Sequence, residues 1–183
     1  MDSISLFLIP ALPLGSAFLL GVLGRKLPNS AVAILGAGSI GLSALFTILL
    51  GVSFLASPPQ GYAYSQTLFT WIQSGNFRAE IAFRYDALSL IMTSVVSIVS
   101  FLIHIYSIEF MEGEDGYSRF FSYMNLFVAS MLTLVLADNL LLLYLGWEGV
   151  GFCSYLLIGF WYKDSLNGRA ARKAFIVTRI GDT

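Results

Sequence analysis

Residues 139–162 decide the fold and read NLLLLYLGWEGVGFCSYLLIGFWY. A helix needs about 20 mainly apolar residues to cross a bilayer core of about 30 Å, and this stretch has that length. Four further apolar stretches precede it, at residues 5–24, 31–56, 87–108 and 120–137. The sequence therefore predicts an all-α, polytopic transmembrane helical bundle with five complete spans.

A sixth helical pattern begins near residue 170 and runs to residue 183. A helix over these residues would rise only about 21 Å, so its last carbonyls would lie inside the membrane. Unsatisfied backbone groups at that depth are costly. We therefore expect the natural chain to continue, with residues 1–183 forming the N-terminal part of one membrane domain.

The longest connection, residues 57–84, is predicted to hold a short β-hairpin between the second and third helices. The stretches SQTLFTWIQ (65–73) and FRAEIAFRY (77–85) are rich in aromatic and β-branched residues, and they flank the turn sequence SGN at 74–76. An irregular loop is the alternative. Three aromatic side chains are expected at the lipid–water boundary: Phe69, Trp71 and Tyr85.

The composition agrees with a membrane protein. Apolar residues make up 57% of the chain and charged residues 11%, and ten Lys and Arg nearly balance eleven Asp and Glu. Ordinary soluble domains are about 45–50% apolar and about 25% charged. This balance excludes a disordered chain and a nucleic-acid binder, and the single cysteine excludes a cysteine-rich metal or iron–sulfur site in this chain. We predict no cofactor and no metal here.

The basic residues predict the orientation. Placing the N-terminus outside puts seven Lys and Arg in inner loops and leaves two, Arg78 and Arg84, in the outer connection. The inner residues are Arg25, Lys26, Arg119, Lys163, Arg169, Arg172 and Lys173. Basic residues follow the first helix rather than precede it, which favours a retained helix over a cleaved signal peptide. The hairpin is therefore expected to be extracytoplasmic.

Glu148 lies near the middle of the fifth span. A charge there costs about 2.5–3.5 kcal/mol on insertion scales, so an intramembrane acid is a functional candidate by default. The alternative is a structural glutamate paired with helix backbone or with a fixed arginine. Helical spacing places four residues on the same face, which we expect to point into the protein: Tyr144, Gly151, Phe152 and Tyr155.

Other polar residues of the spans leave alternatives open. Arg179 and Asp182 are three residues apart, so they can pair on one face of the sixth helix, for function or for structure alike. Lys173 fits an anchor at the inner boundary. His104 is either a proton relay or a hydrogen-bonded packing residue. Cys153 fits a small packing residue.

Two stretches carry a family resemblance. LYLGWEGVGFCSYLLIGFWY (143–162) and NGRAARKAFIVTRIGD (167–182) resemble the subunit L family of bacterial NADH-quinone oxidoreductase, the antiporter-like membrane subunits of respiratory complex I. The likeness extends back through YDALSLIMTSVVSIVSFLIHIYSIEFM (85–111) and the outer hairpin to the first helix. It covers nearly the whole chain.

The resemblance implies a role for three residues. The essential transmembrane glutamate of the family falls on Glu148, and its sixth-helix arginine and aspartate fall on Arg179 and Asp182. Family members are much longer, and their central lysines lie beyond residue 183. The implied mechanism pairs Glu148 with a downstream lysine and moves a proton when that pairing changes.

The resemblance also implies a function and a setting. The chain would be part of a proton-translocating subunit of an enzyme, NADH:quinone oxidoreductase, with no redox chemistry of its own. Flavin mononucleotide, iron–sulfur clusters and quinone would be bound elsewhere in the complex. The partners would be other membrane subunits of complex I, especially neighbouring antiporter-like subunits, in the bilayer of the bacterial inner membrane.

Two other functions remain open. The first is the large subunit of a multisubunit cation/proton antiporter, which uses an intramembrane glutamate without electron transfer. The second is a structural membrane scaffold in which Glu148 sits in a fixed ion pair.

Overall fold

A computed structural model describes residues 6–75 and 77–182 of the chain. The described residues form six α-helices, two short 3-10 helices and one two-stranded sheet. The helices are α1 (Leu8–Leu23), α2 (Asn29–Ala56), α3 (Ala87–Phe110), α4 (Tyr117–Leu136), α5 (Leu140–Ile158) and α6 (Ser165–Asp182). Helices α1 to α5 are long and apolar enough to cross a membrane, and α6 is not among the described helices that meet this criterion. The predicted helical membrane bundle is confirmed.

The helices alternate in direction, so the bundle has two ends. We call the end with the sheet the hairpin end, and the end with the α1–α2, α3–α4 and α5–α6 connections the loop end. Helix α4 packs against α1, α2, α3 and α5 and forms the centre of the described bundle. Its buried Val128, Leu132 and Leu136 belong to the main hydrophobic core, with Ile9 and Ile40 from α1 and α2.

Helix boundaries differ from the predicted ones where capping residues decide them. Helix α6 begins five residues earlier than predicted, because the Asp164 carboxylate accepts the backbone N–H of Leu166 at 2.8 Å. Helix α4 begins three residues earlier, after Gly116, whose φ of 92° reverses the chain. Helix α5 ends at Ile158, four residues earlier. Apolarity locates a span, whereas caps and turns set its ends.

The predicted hairpin is confirmed. Strand β1 (Ala63–Ser74) pairs antiparallel with β2 (Phe77–Asp86), and two register irregularities interrupt the ladder. Asn76 of the predicted turn lies outside the described residues. At the end of β2, Asp86 caps α3 by accepting the backbone N–H groups of Leu88 and Ser89. The Ser89 backbone N–H is the main reason that the pKa of Asp86 lies below its ordinary value.

The expectation for Tyr85 is wrong. Its side chain is fully buried in the main core rather than placed at a lipid boundary, whereas Phe69 and Trp71 are exposed. The Tyr85 hydroxyl lies 3.5 Å from the Thr47 carbonyl oxygen of α2, and burial raises its pKa to about 12. The reason is that β2 turns part of one face onto the bundle, so its aromatic side chains divide between core and surface.

Strand β2 also holds the turn between α4 and α5. The backbone N–H of Asp138 donates to the Ala82 carbonyl oxygen at 3.0 Å. The Asn139 side chain donates to the Glu80 carbonyl oxygen at 2.7 Å and accepts the Leu142 backbone N–H at 3.0 Å. Asn139 therefore caps α5 and fastens its start to the sheet.

Candidate functional site

The close contact between α4 and α5 is made by glycines. A Cβ atom on Gly146 would lie 2.7 Å from the backbone nitrogen of Leu134, and one on Gly149 would lie 2.6 Å from the Ser130 hydroxyl. Cys153, farther along this side of α5, is fully buried. Its predicted role in packing agrees with that position. This side of α5 is closed by α4.

Glu148 lies on the side of α5 that faces α6. Its Oε2 atom forms an ion pair with Nη1 of Arg179, and the two side chains are 15% and 39% exposed. The Arg179 guanidinium also lies 5.0 Å from the ring centroid of Phe175, and that ring lies 5.5 Å from the ring of Tyr155. The structure thus brings together two of the three predicted site residues from neighbouring helices.

The second carboxylate oxygen of Glu148 has a different environment from the first. Oε1 is buried and has no hydrogen-bond partner among the described residues. A buried carboxylate oxygen is stabilised by a donor or a cation, and burial without one costs free energy. Glu148 therefore has capacity for one more partner besides Arg179.

Asp182, the third predicted residue, lies three positions after Arg179 on α6 and is half-buried. Its pairing with Arg179 stays a prediction. Lys173 is exposed on the half of α6 that is nearer the loop end. The sequence predicted that α6 begins near residue 170, which would place Arg179 about 14 Å along the helix. Because α6 begins at Ser165, Arg179 lies about 21 Å along it.

The expected burial of the Glu148 face is only partly correct. Tyr155 is half-buried and packs against α6, but Tyr144 and Phe152 are each 44% exposed in the described chain. The reason is that α5 turns its glycine side to α4, and only the loop-end part of the Glu148 side meets α6. Helical spacing identifies the residues of a face but not which neighbour covers it.

His104 belongs to a different cluster, between α2, α3 and α4. It is fully buried, with Nδ1 2.8 Å from the Ser100 carbonyl oxygen and Nε2 3.4 Å from the Asn125 amide nitrogen. Asn125 also accepts the Ser39 hydroxyl at 2.7 Å. Both ring nitrogens have partners, which favours the packing alternative for His104. Sequence reasoning missed Asn125, although an amide in the apolar stretch of α4 was the available signal.

The described residues offer no metal centre. In residues 6–75 and 77–182, no group of three His, Cys, Asp or Glu side chains is placed to hold a metal ion.

Comparison with known proteins supports the family. The family model described as "NADH-Ubiquinone oxidoreductase (complex I), chain 5 N-terminus" matches residues 71–121, and the one described as "NADH:quinone oxidoreductase/Mrp antiporter, TM" matches residues 137–183. Among solved structures, the Mrp complex from Dietzia sp. DQ12-45-1b superimposes with a TM-score of 0.79 at 26% identity, covering 98% of this chain and 18% of that chain. An archaeal membrane-bound sulfane sulfur reductase shares the fold, with a TM-score of 0.77 at 18% identity over 98% of this chain and 35% of that chain.

Curated relatives match the whole chain. NADH-quinone oxidoreductase subunit L from Escherichia coli is 55% identical over 182 residues, covering 100% of this chain and 29% of that protein. The subunit L of Pseudomonas aeruginosa is 54% identical over 170 residues, covering 93% of this chain and 28% of that protein. The chain thus spans less than a third of the length of these relatives. Over the length that it does span, it belongs to the family of NADH-quinone oxidoreductase subunit L.

Proposed function

We propose that this chain supplies the glutamate-bearing part of a proton-translocating membrane subunit of NADH:quinone oxidoreductase, complex I. The observation that carries the proposal is the Glu148–Arg179 ion pair between two helices of the bundle, with a second glutamate oxygen left buried beside it. A carboxylate in such a place exchanges a proton when a cationic partner approaches or withdraws.

The proposed mechanism uses alternation between partners. Arg179 stabilises the ionised form of Glu148, and a second cation that binds at Oε1 would stabilise it further. A downstream lysine, as the family resemblance implies, is the natural second cation. Loss of either partner favours proton uptake by Glu148, and return of the partner favours release. Asp182, one helical turn beyond Arg179, would compete for the arginine and complete the site.

The setting of this function is also proposed. The chain would work as a subunit of the enzyme and carry out no redox step itself, with flavin mononucleotide, iron–sulfur clusters and quinone bound by other parts of the complex. Its partners would be other membrane subunits of complex I, especially neighbouring antiporter-like subunits. It would lie in the bacterial inner membrane with the N-terminus and the hairpin outside.

The experiment that tests the proposal is Glu148→Gln in the full-length subunit within the assembled complex. We expect NADH-driven proton pumping and coupled quinone reduction to fall at least about tenfold, because the amide cannot exchange a proton. Pumping is measured in membrane vesicles with a pH-sensitive dye. The matched control is Glu109→Gln, at the exposed loop end of α3, which should leave pumping unchanged.

The outcome separates pumping from a scaffold role. A scaffold with a fixed Glu148–Arg179 pair would lose assembly in Glu148→Gln while any assembled complex still pumped normally. Normal pumping by the assembled variant would therefore eliminate a protonation role for Glu148.

A second candidate function is the large subunit of a multisubunit cation/proton antiporter. The observation that favours it is the superposition on the Mrp complex over 98% of this chain. The two functions differ in their energy source. Cation/proton exchange in vesicles without NADH would support the antiporter, whereas proton movement that requires NADH supports the oxidoreductase subunit.

A further inference from the structure

Arg119, in the first turn of α4 at the loop end, holds a fixed position. Its guanidinium carbon lies 5.0 Å from the ring centroids of both Phe160 and Tyr162. The guanidinium also folds back against Gly116, where a Cβ atom would lie 2.9 Å from Nη2. The guanidinium group of Arg119 is thus packed between two aromatic rings and Gly116 in the absence of a ligand.

The positive charge of Arg119 has no acidic partner among the described residues. The two nearby acids have other partners: Asp115 binds Nζ of Lys163 at 2.8 Å, and Glu114 accepts the Trp161 indole N–H at 3.1 Å. Lys163 is the main reason that the pKa of Asp115 is lowered, and Arg119 contributes least. No described residue forms a hydrogen bond or an ion pair with the Arg119 side chain. Five N–H donors therefore remain for a ligand.

A cavity of about 220 Å³ opens beside Arg119, between α4, α5 and α6. Tyr123 and Tyr155 line it and can add hydroxyl donors. Gly168 of α6 also lines it, and no atom lies within 4 Å of the place where its Cβ would be. The cavity thus combines a preset cation, neutral donors and open space.

Large apolar side chains are exposed around this end of α5 and the start of α6: Ile158, Trp161, Tyr162 and Leu166. Aromatic residues of this kind are enriched where a membrane protein meets the lipid headgroups. The cavity thus borders a surface of the kind that suits phospholipid headgroups and the start of their acyl chains.

We propose that Arg119 and this cavity bind an anionic phosphate group, supplied by the headgroup of a phospholipid. A guanidinium presents two parallel N–H groups that match two phosphate oxygens, and it is the side chain best suited to such bidentate binding. The tyrosine hydroxyls donate to the remaining oxygens. The site is separate from the Glu148–Arg179 pair.

The experiment uses the full-length subunit in the assembled complex, reconstituted in vesicles with spin-labelled phosphatidylglycerol or spin-labelled phosphatidylcholine. We expect the wild-type complex to immobilise phosphatidylglycerol preferentially, and Arg119→Gln to weaken this binding about fivefold, the loss of one charge-assisted contact. Arg169→Gln removes an exposed charge at the same end of the bundle, and Arg169 does not line this cavity. It should keep the preference.

A second variant tests the cavity without touching the charge. Gly168→Leu places a side chain in the open space, so it should reduce phosphatidylglycerol binding while the complex still assembles. Release of the labelled lipid by millimolar inorganic phosphate would identify free phosphate as the occupant, and its retention identifies the lipid headgroup. The proposal is overturned if Arg119→Gln keeps the preference, if Arg169→Gln lowers it equally, or if Gly168→Leu has no effect.

Discussion

The two long sides of α5 are built by opposite means. Toward α4, Gly146 and Gly149 allow the helices into contact at a distance that a single methyl group would prevent. Toward α6, Gly159 at the end of α5 packs on the buried Ala171, but the middle of the helix meets α6 through the Glu148–Arg179 ion pair, with Arg179 more than a third exposed. The middle of α5 is thus closed by packing on one side and joined by charge on the other.

The two sides of α5 differ in how easily their contacts can change, and the proposed proton exchange depends on such a change. A contact made by packed backbone has one arrangement, because dense interiors do not deform continuously. The Glu148–Arg179 ion pair joins two side chains, so Glu148 can exchange Arg179 for another cation without a rearrangement of packed backbone. The chain therefore fixes the position of α5 through α4 and leaves the partner of Glu148 free to change.

The largest effect is expected from a methyl group added to the side of α5 that packs against α4. Gly146→Ala brings a Cβ to 2.7 Å from the backbone of Leu134. We expect it to destabilise the α4–α5 contact by about 1–3 kcal/mol, since backbone cannot rotate away. The thermal unfolding temperature of the purified complex and the amount of assembled subunit measure this loss.

Gly151→Ala is the matched control on the same helix. No atom lies within 4 Å of the added Cβ, so the same change should be neutral or slightly stabilising through helix propensity. Equal losses from both variants would mean that helix propensity or lipid contact, rather than the α4 contact, decides the effect.

The spans, Glu148 and the hairpin could be predicted from local features of the sequence. Apolar length was enough for the five spans, and an acid in the middle of one of them identified Glu148. Turn residues flanked by β-branched and aromatic stretches predicted the hairpin. These signals are local, so no knowledge of neighbouring helices was needed.

The remainder depends on which helices meet. Spacing along α6 offered Asp182 as a possible partner of Arg179, but it did not indicate that the structure would bring Arg179 against Glu148 of α5. Tyr85 was expected at a lipid boundary and lies in the core. Both results follow from contacts between elements distant in sequence, which spacing along one helix or strand does not contain.

A smaller effect is expected from Arg179→Ala, on the side of α5 that faces α6. Arg179→Ala removes one partner of Glu148 but leaves the carboxylate in place. Because another cation can still pair with the carboxylate, pumping should fall about fivefold, equivalent to about 1 kcal/mol in the barrier and less than in Glu148→Gln. Proton pumping by the assembled full-length complex is the measurement.

Arg78→Ala supplies the control, because Arg78 also pairs with a glutamate. Its Nε lies 2.7 Å from the Glu80 carboxylate in the hairpin, and this pair is not part of the Glu148–Arg179 contact. We expect no loss of pumping from it. If the two arginine variants had equal and negligible effects, Arg179 would be removed from the site and the α6 side of α5 would have no functional charge pair.

The smallest effect is expected where charge joins two exposed loops, the α5–α6 connection with Lys163 and the α3–α4 connection with Asp115. Lys163 follows α5 and binds Asp115 at 2.8 Å, and both side chains are highly exposed. The pKa of Asp115 is lowered in the folded chain, so its contribution to the free energy of unfolding is present above the ordinary pKa of 3.8. That contribution is lost as the pH falls through the lowered pKa. The pKa of Lys163 is raised, so its contribution to the free energy of unfolding is present below the ordinary pKa of 10.5 and is lost as the pH rises through the raised pKa.

Asp115→Asn should therefore leave the unfolding temperature almost unchanged, and equally so at pH 6 and pH 8, because both groups stay ionised between those values. Pumping should not change either. The measurement is thermal unfolding of the complex at the two pH values, at low and high salt. A clear loss at low salt that disappears at high salt would contradict this expectation and show that the exposed Lys163–Asp115 pair holds the two loops together.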